Sequence, residues 1–211
     1  MGLSITNFLV TLIIIGVPLL YQLQTVRSEA STATATGGQI VQQICNRAAE
    51  SISSFDYDFC LTSLQSKGAS ADIKRLGIIA TSSARSKAKD AGKKVDKLLS
   101  KSPDDLYVKT RLRDCKEMYS EAMDALKEAE RAINSKNYMD GNEYLNAALD
   151  SIVTCEDSWQ EEPGHVSPLP SDQNQHLEQL CQIGLSITSS LIAPVHLDHD
   201  TPDAKPLIMK E

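Results

Sequence analysis

Aromatic side chains are scarce in this chain: one Trp, three Phe and six Tyr among 211 residues. A β-sandwich draws heavily on aromatic and β-branched residues, so this scarcity, set beside frequent Ala, Ser, Leu, Asp and Lys, favours helices. No segment alternates apolar and polar residues long enough to read as a strand. A surplus of positive charge is also missing. The formal net charge is −7, which argues against nucleic acid as a partner, because phosphate binding needs a basic face. Glycine-rich phosphate loops and Asn-x-Ser/Thr acceptors do not occur.

Long hydrophobic runs are lacking as well. The longest, Phe8 to Leu20, is interrupted by Thr11, Gly16 and Pro18, and its roughly 13 residues fall short of the 18 or more that a membrane-spanning helix requires. No Lys or Arg precedes it, so the free amino terminus supplies the only positive charge there. Small residues follow from Ala30 to Ala35. The pattern predicts a secretory leader over residues 1–30, cleaved between Arg27 and Thr36. Gly2 and Thr6 also satisfy a myristoylation pattern, but the apolar run directly behind them favours export. A secreted protein with no membrane segment after cleavage is the expectation. The mature chain has the size of one domain, placed at residues 37–193. Residues 194–211, rich in Pro, Asp and His, lack periodicity and are expected to form a flexible tail.

Four segments repeat apolar residues every three or four positions, the helical period. The first stripe runs Ile73, Leu76, Ala80, Ala84, Ala88, Ala91, Val95, Leu98, with Ser70 or Asp72 as cap. The second runs Leu112, Cys115, Tyr119, Ala122, Leu126, Ala129, Ile133, and Ser102 with Pro103 offers its N-terminal signal. The third begins after Asn137-Tyr138 and follows Gly141, Leu145, Ala148, Ile152, Cys155, Trp159. The fourth opens at Ser171-Asp172 and follows Leu177, Leu180, Gly184, Ile187, Leu191. Short connections near residues 101 and 136 make neighbouring helices antiparallel. The predicted fold is all-α: an up-down-up-down four-helix bundle. Upstream, residues 39–66 read as short helices forming an N-terminal hairpin extension.

Five cysteines are present, and in an exported chain an even subset reads as a disulfide framework. Cys45 and Cys60 lie fifteen residues apart within the short-helix region, where a bridge would tie a hairpin. Cys115 and Cys155 lie on the apolar stripes of two consecutive helices, 21 and 19 residues from the intervening turn near residue 136. They should therefore stand at similar height on adjacent helices, as disulfide geometry requires. Cys45–Cys60 and Cys115–Cys155 are the favoured pairs, and Cys181, beside the fourth stripe, is expected to be a buried free thiol.

Candidate chemistry is thin. His196-Leu197-Asp198-His199-Asp200 resembles a metal-binding string, but it sits in the tail without a fixed cavity. His165 and His176 have no cysteine arranged with them as a nucleophile pair. Asp104 and Asp105 suit a first helical turn, where they complement the helix dipole. Arg85, Lys87, Lys89, Lys93, Lys94 and Lys97 make one helix strongly basic, as a solvated face or as a dock for an acidic partner. No residues are placed for catalysis, a metal or a cofactor.

Several segments then carry a resemblance. Ile44-Cys45-Asn46 with Tyr57-Asp58-Phe59-Cys60-Leu61, the run Leu112-Arg113-Asp114-Cys115-Lys116-Glu117-Met118-Tyr119, and above all Asn146 to Asp157 (NAALDSIVTCED) resemble the plant invertase and pectin methylesterase inhibitors. The ordered set spans about Ile40 to Ile192. The resemblance implies a four-helix bundle with an amino-terminal hairpin, disulfides between consecutive cysteines, and a monomer without catalysis or cofactor. It implies secretion to the plant apoplast or cell wall, or to the vacuole, and a protein partner: acid invertase or pectin methylesterase. In invertase inhibitors a Pro-Lys-Phe motif at the start of the third long helix enters the substrate cleft. Lys136, Asn137 and Tyr138 occupy that place here, retaining only the aromatic, and are the target-binding candidates. Occlusion of an acid invertase is the preferred expectation, a pectin methylesterase inhibitor the alternative, and a non-inhibitory secreted helical module the second alternative.

Overall fold

The computed structural model describes residues 37–68, 71–101, 104–161 and 166–192. The chain divides into units Met1–Ala35 and Thr36–Glu211, and every described residue belongs to the second. The expected leader and tail, the Ser102-Pro103 signal, Ser70, His165 and the His196–Asp200 string lie outside the described residues.

All regular elements among the described residues are helical: α1 (Gly37–Ser51), α2 (Tyr57–Gly68), α3 (Ile73–Ser100), α4 (Leu106–Asn134), α5 (Tyr138–Asp157), a 3-10 turn (Ser158–Gln160) and α6 (Ser171–Ile192). Asp72 caps α3, its Oδ1 accepting from the Arg75 backbone N–H at 2.7 Å. The start of α4 differs from the expectation. Asp105 is the N-cap, accepting from the Tyr107 and Val108 amides at 2.8 and 3.2 Å, and the helix begins at Leu106. Asp and Ser cap equally well, so two such residues three positions apart give a sequence no means of choosing. Asp105 thus satisfies orphan amides from outside the first turn rather than acting on the dipole from within it.

Helices α3 to α6 form the bundle, each adjacent pair antiparallel. Arg85 meets Glu130 while Asp96 meets Lys116, so α3 and α4 run in opposite directions. Asn142 reaches Thr188 while Glu156 meets Asn174, which fixes α5 against α6 in the same sense. Helix α3 packs on α4 and α6, and α5 packs on the same two, leaving α3 and α5 at opposite corners. The core alternates small and large residues. Ala80, Ala84 and Ala88 of α3 are fully buried, and so are Leu112, Tyr119, Leu126 and Ile133 of α4. Each such large apolar side chain contributes about 1.5–3 kcal/mol relative to exposure.

The hairpin α1–α2 lies against the bundle, α1 on α6 and α2 on α3 and α6. Cys45 and Cys60 join its two helices, Cα–Cα 5.8 Å. Phe59 stacks on His176 with ring centroids 4.4 Å apart, and Arg47 donates to the Ser190 hydroxyl at 2.5 Å. Helix α6 buries Asn174, Gln179, Cys181 and Ile183 in addition to the single stripe read from sequence, and the hairpin covers its outer side.

Candidate functional site

The turn between α4 and α5 begins where α4 ends. Ser135 is the C-cap, and Lys136 follows with φ 65°, the left-handed region normally left to Gly or Asn. The Lys136 amide donates to the Ile133 carbonyl at 3.1 Å and the Asn137 amide to the Ala132 carbonyl at 2.9 Å. These two bonds are the paired closure of a Schellman motif. A β-carbon in this conformation costs roughly 1–2 kcal/mol, so the turn holds a lysine at a position better suited to glycine.

Asn137 then starts α5. Its side chain makes no cap bond to the backbone; its Nδ2 instead donates to Asp140 Oδ2 at 2.5 Å, while its carbonyl accepts from Gly141 N–H at 3.1 Å. Gly141 permits the close approach of α4 and α5 here. A β-carbon on it would lie 3.0 Å from Ile133 Cγ1. Lys136 and Asn137 are exposed, and Lys136 forms no ion pair among the described residues. Tyr138 is half-buried and packs against the core, so its ring is supported from below.

Two neighbours were missed by the sequence reading. Met139 is 63 % exposed and Tyr144 40 % exposed, although both are large and apolar. Their signal was available: each is an apolar residue standing off the stripe of α5. Helix α5 carries acidic residues, including Asp140 and Glu143 beside the turn, and no Lys or Arg. Lys136 thus follows Arg131, which is paired with Glu128 at the end of α4, and stands before the acidic start of α5.

The other end of α5 is fastened. Cys155 is bonded to Cys115 of α4, Cα–Cα 4.9 Å. Tyr119 donates to Asn174 Oδ1 at 2.7 Å, and Asn174 donates to Glu156 Oε2 at 2.5 Å, linking α4, α6 and α5. Burial first, and Glu156 second, push the Tyr119 phenol well above its ordinary range, which keeps it a neutral donor. Tyr107 donates to the Ser158 carbonyl at 2.9 Å and meets the Trp159 indole edge-on at 6.3 Å.

Nothing in this arrangement activates a nucleophile. Cys181 is free and buried, and burial pushes its thiol up to about 12, so the thiolate that reactivity requires is suppressed. His176 is stacked on Phe59 rather than set beside a thiol. The arrangement offers instead an exposed turn, closed by two backbone bonds, with Lys136 beside the partly exposed Tyr138 and the exposed Met139.

Comparison with known proteins agrees. Residues 39–187 match the family model described as plant invertase/pectin methylesterase inhibitor. A Platanus orientalis protein named "Putative invertase inhibitor" is 36 % identical over 154 residues, 72 % of this chain and 89 % of that protein. The "Pectinesterase inhibitor" of Actinidia deliciosa is 35 % identical over 134 residues, 63 % of this chain and 71 % of that one. Among solved structures, a mutant form of a pectin methylesterase inhibitor from Arabidopsis superposes with a TM-score of 0.61 at 27 % identity, covering 71 % of this chain and 95 % of that one. These relatives are inhibitors of enzymes, not enzymes. The chain belongs to the plant invertase/pectin methylesterase inhibitor family.

Proposed function

We propose that this protein is a secreted inhibitor of an acid invertase of the cell wall or vacuole, acting by inserting the turn Lys136-Asn137-Tyr138 into the enzyme's substrate cleft. The observation that carries the reading is the geometry of that turn. It is exposed, it is closed by two backbone bonds, and it holds Lys136 in a left-handed conformation beside the half-buried Tyr138 ring. A preorganised turn loses little conformational entropy on docking. A glycosidase cleft lined by carboxylates offers a partner to the Lys136 ammonium, and its sugar subsites suit the phenol of Tyr138. Export is supported by the two disulfides, which persist in oxidising compartments.

Pectin methylesterase is the second reading. It is favoured by the Actinidia relative and the Arabidopsis structures, both named for that target, and by the loss of Pro and the displaced Lys at the turn. Titrating the mature protein against each enzyme at mildly acidic pH decides between them. Stoichiometric loss of invertase activity with methylesterase untouched is the expected result. The reverse pattern assigns the other target, and no inhibition of either leaves a non-inhibitory helical module.

A further inference from the structure

The charge of the bundle is divided between opposite corners. Helix α3 carries eight basic and two acidic side chains, a net of +6 in a chain whose total is −7. At the opposite corner α5 carries five carboxylates and no cation. Toward its C-terminal end, Lys93 is paired with Asp90 and Lys94 is bonded to the neutral Gln173. Further toward the N-terminus the situation changes. A groove of about 530 Å³ lies between α3 and α4, with Arg85, Lys89 and Lys127 on its walls. Arg85 gives its Nε to Glu130 at 3.1 Å, but Lys89 and Lys127 form no ion pair among the described residues.

The lining is ordered in rows. Ser82 and Ser86 are one helical turn apart, as are Arg85 and Lys89, so a hydroxyl row runs beside a cation row at the pitch of α3, about 5.4 Å. Across the groove, α4 supplies Met123, Asp124 and Lys127. We infer that this groove is a binding site for a linear polyuronate, a polysaccharide with a carboxylate on each sugar. The cation row meets carboxylates at successive sugars. The serine hydroxyls and Asp124 exchange hydrogen bonds with sugar hydroxyls, and Met123 offers an apolar surface to a ring face. Such a site holds the inhibitor on an acidic polysaccharide matrix through a face distinct from the α4–α5 turn.

The site does not depend on which enzyme is inhibited, and its test contains no enzyme. The full mature protein is titrated with polygalacturonate oligomers, with the same oligomers fully methyl-esterified, and with poly-glutamate of matched charge, at low salt. The wild type should bind the free-acid oligomer, weaken steeply with added salt, and ignore the ester and the polypeptide. Lys89→Gln with Lys127→Gln should lower affinity about tenfold or more, since two charge-assisted contacts are lost, with the helical circular dichroism unchanged. A companion variant, Lys87→Gln with Lys97→Gln, removes equal charge from α3 outside the groove and should have a much smaller effect. Equal losses from the two double variants, undiminished binding of the ester, or equal binding of poly-glutamate would overturn the assignment.

Discussion

At its C-terminal end α5 is bonded to α4 through Cys155, tied to α6 through Glu156 and Asn174, and followed by a buried Trp159. At its N-terminal end it is preceded by exposed Ser135, Lys136 and Asn137, with Lys136 held in the left-handed region. The same twenty-residue helix thus has one end that supplies stability and one that gives some up. The contrast teaches how a non-catalytic protein can act on an enzyme. The fastened end and the Gly141–Ile133 approach fix where the helix begins, so the exposed end is an ordered turn rather than a loose loop.

The contrast can be broken most severely at the fastened end. Replacing Cys115 and Cys155 together by Ala opens a loop of forty residues and should cost about 4 kcal/mol in the chain-entropy description, read as a lower urea midpoint. Inhibition measured on the fraction still folded should fall as well, because the turn is no longer held. Tyr119→Phe should cost about 1–2 kcal/mol, since the buried Asn174 oxygen loses its donor, with inhibition unchanged. Lys136→Gly at the exposed end should move the two readouts in opposite directions. Stability rises by about 1 kcal/mol as the left-handed strain is relieved, while inhibition weakens with the loss of the cation.

The smallest effect concerns pH. Burial first, then Glu156 and Asp157, raise the Glu178 carboxyl above its ordinary range. Its ionised form is therefore less favourable in the fold than in the unfolded chain. The stability tied to this group is complete below the ordinary carboxylate range and declines as pH rises through the raised value. Glu178→Gln should lift the urea midpoint slightly at neutral pH and leave it unchanged near about pH 4.

Much of the fastened end was legible in the sequence. The three-and-four spacing of Leu145, Ala148, Ile152 and Cys155 marks a buried face, and near-equal distances from one turn place two cysteines at one height. The exposed end was less legible. A left-handed C-terminal residue announces itself when it is Gly, and here it is Lys136. Buried polar groups such as Asn174 and Gln179 break the apolar pattern that periodicity relies on, and the cover that α1 and α2 provide over α6 is a long-range contact that no local pattern records. The choice of Asp105 over Ser102 as cap was degenerate in composition and settled only by where the first turn of α4 lies.

The central claim is that the α4–α5 turn enters the target's cleft, and Tyr138→Ala tests it most directly. Inhibition of acid invertase by wild type and variant is titrated at mildly acidic pH, with helical circular dichroism recorded on the same samples. The account predicts a loss of about tenfold or more in apparent affinity, on the scale of a buried aromatic anchor, with the helical signal retained. An unchanged inhibition constant in a folded Tyr138→Ala protein that still inhibits invertase would contradict it.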